Sequence, residues 1–144
     1  MGSITEKILD QLGGSRSLTE IFDENREAYS TLSIGDYIEL EIARANATKA
    51  KLIRESGINR RFFFDILSGK KLPNRRYIIR IFLALKLPLA DVQWYLQAMD
   101  YPQLYARNRR DSVIIYCINH QLPVSECNDM LNKIGLENLG FENT

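Results

Sequence analysis

Residues 48–80 hold ten basic side chains and two acidic ones, a local balance of +8 in a chain whose formal net charge is +1. Lys49, Lys51, Arg54, Arg60, Arg61, Lys70, Lys71, Arg75, Arg76 and Arg80 are countered there only by Glu55 and Asp65. The flanks compensate, at −5 over residues 1–47 and −2 over 81–144. Such a density of ammonium and guanidinium donors suits a polyanion such as a phosphate backbone. A basic run is also how an ordinary solvated face looks. What sets this one apart is its place, on a stretch that reads as two short helices and a turn. Covalent chemistry has less to work with. Cys117 and His120 stand three apart on one predicted helix, but they lack an oxyanion partner and a pocket. The single histidine fits a polar surface or a capping role. No zinc-ligand spacing, phosphate-binding loop or serine-nucleophile motif can be built. Cys117 and Cys127 fall among apolar helical positions and read as buried free thiols in a reducing cytoplasm. The expectation is a cytoplasmic protein that is not an enzyme and needs no metal or cofactor.

The elements that must position these residues all read as helices. Ser3-Ile-Thr-Glu6 and Ser17-Leu-Thr-Glu20 have the form of capping boxes and start helices near 4–12 and 18–29. Ser33 caps a helix over about 34–45, in which Ile34, Ile38 and Ile42 share a face. Thr48 caps 49–56, Asn59 caps 60–68, and Pro73-Asn74 precedes a long apolar helix at 75–85. Further helices are predicted near 89–99, 109–120 and 124–134, with breaks at Tyr101-Pro102 and Leu122-Pro123. No strand alternation is present, and no apolar run approaches the roughly 20 residues of a membrane span. The amino terminus lacks the basic head and apolar run of a signal peptide. An internal repeat is also legible. Residues 78–104 align without gaps to 113–139 at an offset of 35, pairing Leu87-Pro88 with Leu122-Pro123 and Leu104 with Leu139. Each copy is a helix, a Leu-Pro turn and a second amphipathic helix, and two stacked hairpins can bury faces that one cannot.

From about Ser33 to Leu96 the chain resembles the lambda-repressor-like, or XRE-type, helix-turn-helix family. The matching residues are Thr48 as N-cap, Leu52, the turn glycine Gly57, apolar Phe63 and Ile66, and the ending Ser68-Gly69-Lys70. A basic linker and a helix closing in LALKLPLADVQWYL follow. The resemblance implies an all-α fold: a five-helix domain with acidic helices before it and a helical hairpin after it. The corresponding segments are 1–32, 33–100 and 101–144. It maps base contacts in a DNA major groove onto Arg60, Arg61 and Asp65. Arginine can fork onto guanine and aspartate can accept from cytosine, each pair worth about 1–3 kcal/mol of discrimination. It assigns phosphate contacts to Lys49, Lys70, Lys71, Asn74, Arg75 and Arg76, which would set register without reading sequence. Double-stranded DNA would be the partner, transcriptional regulation the function, and a homodimer on two half-sites the assembly.

The pattern departs from the family at three places. Ile53 stands where a small residue is usual, and Ser56 where an apolar one is usual. Phe62, Phe63 and Phe64 sweep about 200° of one helix, so they cannot all face one core. Phe62 and Phe64 thus support a second reading, a helical adaptor that uses this face to bind a partner protein. Trp94 and Tyr95 read as core residues first and a dimer interface second. The acidic amino-terminal segment could dock on the basic stretch.

Overall fold

Serine, threonine and asparagine side chains cap the first turns of five helices, starting at Leu18, Ile34, Lys49, Arg60 and Arg109, and fix where those helices begin. The computed structural model describes residues 4–30 and 32–142. The described residues form ten helices and no strand: α1 (Ile4–Leu12), α2 (Leu18–Glu24), α3 (Arg26–Ser30), α4 (Ile34–Arg44) and α5 (Lys49–Ser56). These are followed by α6 (Arg60–Ser68), α7 (Arg75–Leu85), α8 (Leu89–Ala98), α9 (Arg109–Asn119) and α10 (Val124–Lys133). Among the described residues, no helix is long and apolar enough to cross a membrane.

The caps follow the sequence closely, with two differences. Ser33 forms a complete capping box with Asp36, at 3.2 Å for the hydroxyl's bond and 3.0 Å for the carboxylate's. Ser17 accepts from the Glu20 N–H, but the Glu20 carboxylate turns to Arg16 instead of closing the box. Ser3 lies outside the described residues. The helix predicted over 18–29 breaks in two at Asn25. There the side-chain amide donates to the Ile21 carbonyl and to Gln11, competing with the backbone ladder.

One continuous apolar core runs from Ile8 to Leu139. Helix α4 crosses α6, α5 packs on α7, and α9 pairs with α10. An aromatic group of Phe22, Tyr37, Phe82, Trp94 and Tyr95 locks α2 onto α4, α7 and α8, with the Phe22 and Trp94 rings stacked at 3.8 Å. Trp94 and Tyr95 are thus packing residues. The amino-terminal helices dock by this apolar face and by α1 on α4. The ion pairs of Glu20, Glu24 and Asp23 are made with Arg16 and Arg26 of the same segment, not with the basic stretch.

The repeat extends into the finest detail. Helices α8 and α10 keep the offset of 35, α7 and α9 begin and end 34 apart, and the left-handed residues keep 35: Lys86 and Gln121 in the turns, Asp100 and Gly135 after the second helices. Gln93 accepts the Leu104 N–H at 2.7 Å, as Asn128 accepts that of Leu139 at 2.8 Å. Arg75 donates to the carbonyls of Pro102 and Gln103; Arg110 donates to those of Glu137 and Asn138. Each pairing lies 35 residues from its counterpart, which two unrelated hairpins would not reproduce. Cys117 and Cys127 are buried and free. The hydrogen bond between the two thiols, reinforced by burial, pushes the Cys127 thiol well above its usual range.

Candidate nucleic-acid interface

Helix α5 starts where the Thr48 hydroxyl accepts the Lys51 N–H at 3.1 Å, and it ends at Gly57. Gly57 has φ +70°, a left-handed conformation that glycine adopts without steric cost. Asn59 then caps α6 by accepting the N–H groups of Arg61 and Phe62. These two devices fix the angle between the helices. Leu52, Ile53, Ile58, Phe63 and Ile66 are buried at their junction.

Ser56 is completely buried, which a hydroxyl tolerates only with partners. It donates to the Ile53 carbonyl and accepts the Ile58 N–H, so this polar residue stitches the turn where an apolar one would only fill it. Ile53 is buried at this junction, and a close backbone approach is found between α4 and α6. A Cβ on Gly35 would sit 2.0 Å from the Leu67 carbonyl oxygen. Sequence reasoning did not single out Gly35; a glycine inside a capped amphipathic helix was the available signal.

The phenylalanine triplet divides three ways. Phe63 is fully buried, and Phe62 is half-buried edge-on against Tyr77 of α7. Phe64 is left 38% exposed, with the Arg60 guanidinium 5.2 Å above its ring. The outer face of α6 therefore presents Arg60, Arg61 and Phe64, with Asp65 half-buried on its flank. Lys70 and Lys71 follow, both exposed, and then Leu72, which is 83% exposed.

Among the described residues, no carboxylate pairs with Lys51, Arg54, Arg60, Arg61, Lys70 or Lys71. Lys49 meets Glu39 at 3.2 Å, with both side chains in solvent, where such a pair is worth little and is easily exchanged. Asn74 is the exposed N-cap of α7 and makes no side-chain capping bond.

The arginines of α7 are placed differently. Arg75 is held by both Asp111 oxygens, at 3.2 and 3.1 Å, and by the carbonyls of Pro102 and Gln103. Arg76 lies over the Tyr77 ring, donates to the Tyr77 hydroxyl and approaches Glu142 at 4.0 Å. Arg80 is 0% exposed and serves the carboxy-terminal segment. All three α7 arginines thus have partners within the protein, contacts with which the phosphate role expected of Arg75 and Arg76 must compete. Arg80 carried a signal, since it interrupts an apolar helical run on its inward side.

A second charged cluster lies in the core. Glu41 accepts the Tyr95 hydroxyl at 2.6 Å, and Arg44 sits 3.5 Å from Glu41 and 3.8 Å from Asp91. Burial, and then the Glu41 charge, push the Asp91 carboxyl up to about 6 against the pull of Arg44. Two buried carboxylates share one guanidinium, so the second pays for ionising. No family model, curated protein or solved structure matches the chain.

Proposed function

We propose that α4–α8 form a lambda-repressor-like, XRE-type helix-turn-helix domain and that the protein is a sequence-specific DNA-binding regulator of transcription. On this reading α6 enters the major groove, α5 crosses the backbone above it, and two copies read two half-sites. The observation that carries it is the cluster of exposed, unpaired cations around α5 and α6. Arg60 and Arg61 stand at the start of α6, where side chains reach base edges in this geometry. Lys49, Lys70, Lys71 and Asn74 are placed to meet phosphates, while the same role for Arg75 and Arg76 competes with their partners within the protein.

The test is a titration against duplex DNA at several salt concentrations. Counterion release predicts that affinity falls steeply with salt. Substituting both Lys70 and Lys71 by Ala should lower the slope of log affinity against log salt by about 2. That change should weaken all sequences alike, whereas an Arg60→Ala/Arg61→Ala variant should lose sequence preference. A wild-type chain that binds no duplex even at low salt overturns the proposal. The exposed Phe64 and Leu72 would then favour the adaptor reading, with this face as a protein-binding surface.

A further inference from the structure

The carboxy-terminal segment does something that the internal repeat does not require. It follows the repeat as far as the Leu139 N–H, which Asn128 accepts, but Asn128 donates to the Gly140 carbonyl at 3.0 Å where Gln93 donates to that of Leu104, the counterpart of Leu139. Gly140 then turns the chain with φ +88°. Beyond it Phe141 and Glu142 leave the hairpin and reach the α5–α6 turn. The Phe141 ring lies so close to Gly57 that a Cβ there would sit 2.3 Å from it. The Glu142 N–H donates to the Gly57 carbonyl at 2.8 Å.

Arg80 completes the connection from beneath. Its Nε donates to the Ser56 carbonyl at 2.9 Å, an end group of α5 that has no helical partner and that a cation suits. Its Nη1 donates to the Leu139 carbonyl, and the guanidinium fork meets both Glu142 oxygens at 3.1 and 2.8 Å. The same guanidinium lies 5.1 Å from the centre of the Tyr77 ring, on which Phe62 of the first turn of α6 packs. At the offset of 35, Arg80 corresponds to Ile115, so this clamp is no part of the duplicated scaffold.

We infer that the segment Leu139–Glu142 is a strap, with Arg80 as its positioning residue, that sets the orientation of α6 for sequence reading. The inference rests on the proposed DNA reading for its consequence, though not for its mechanics. The strap holds the end of α5, the turn itself and, through Tyr77, the start of α6. These are the three places that fix where Arg60 and Arg61 point. Base readout depends on that aim, whereas phosphate contact tolerates more movement.

The experiment uses the full chain carrying Glu142→Gln, with Phe141→Ala as a second variant that leaves the buried Arg80 its charged partner. A short duplex enriched by the wild-type chain from a randomised pool is compared with unselected duplex, alongside amide hydrogen exchange at Ile58–Arg61 without DNA. Circular dichroism establishes that each variant is folded. The expected result is a drop of about tenfold in preference for the enriched duplex, the worth of one base contact, together with faster exchange in the turn. An unchanged preference overturns the inference. So does a rise in affinity for both duplexes, which would mean that Glu142 merely masks Arg76. If the wild-type chain enriches no duplex, the DNA reading fails by itself. Exchange then decides the strap: faster turn exchange in the variants upholds its mechanics, and unaltered exchange refutes them.

Discussion

Substituting Gly35 by Ala should destabilise the protein although it places a better helix former in a helix. Alanine gains at most about 1 kcal/mol over glycine in helix propensity, and less in a first turn. Against this, the new Cβ would lie 2.0, 2.7 and 2.9 Å from the carbonyl oxygen, carbonyl carbon and Cα of Leu67. All three are backbone atoms, so no side chain can rotate away. To reach even the tightest contacts that Cβ atoms make, α4 and α6 must part by about 1 Å, a gap that forfeits a quarter to a half of the dispersion between the atoms facing across it. Phe63 and Ile66, buried beneath α6, oppose the shift. Overpacking of this kind costs about 3 kcal/mol, so the net loss should be about 2 kcal/mol. That corresponds to a fall in melting temperature of about 6 °C for a chain of this size. Urea unfolding followed by circular dichroism measures it. Gly13→Ala is the control, because its Cβ would meet nothing nearer than 3.6 Å. A Gly35→Ala variant within about 0.5 kcal/mol of wild type would refute the claim that α4 and α6 touch backbone to backbone.

Three further outcomes can be checked in the same way. Asp91 has a folded-state pKa raised to about 6 from 3.8, so its contribution to stability is fully present below the lower value and lost as pH rises through the upper one. Asp91→Asn should therefore remove a fall in stability of on the order of 2 kcal/mol between pH 4 and 7, read from unfolding at a series of pH values. A variant with the wild-type pH profile would sink that assignment. Phe63→Ala should cost about 3–5 kcal/mol and Phe64→Ala under about 1, since only Phe63 is buried; equal losses in thermal melts would contradict the division of the triplet. Asn128→Ala should cost about 1–3 kcal/mol by orphaning the Leu139 N–H and the Gly140 carbonyl, and Gln93→Ala should cost less because Gln93 is more exposed. Chemical denaturation decides this, and a larger loss at Gln93 would oppose the parallel between the two clamps.

What the sequence determined by itself was local. Ser33, Thr48, Asn59 and the Leu-Pro turns placed the helix starts because a cap acts within one turn of the residue that makes it. The offset of 35 was legible for the same reason, as both copies solve one local problem with one spacing. The need to expel at least one phenylalanine of the triplet followed from helical geometry alone. Tertiary structure decided what depends on partners far along the chain. Which phenylalanine is left outside was set by Tyr77, thirteen to fifteen residues away. Which arginines stay free was set by Asp111 and Glu142, more than thirty and sixty residues distant. In sequence, Arg75, Arg76 and Arg80 look like more of the same basic block as Arg60 and Arg61. A charge count cannot separate them, because whether a guanidinium faces solvent or a buried carbonyl depends on the packing of α7 against the carboxy-terminal hairpin, which no local rule encodes.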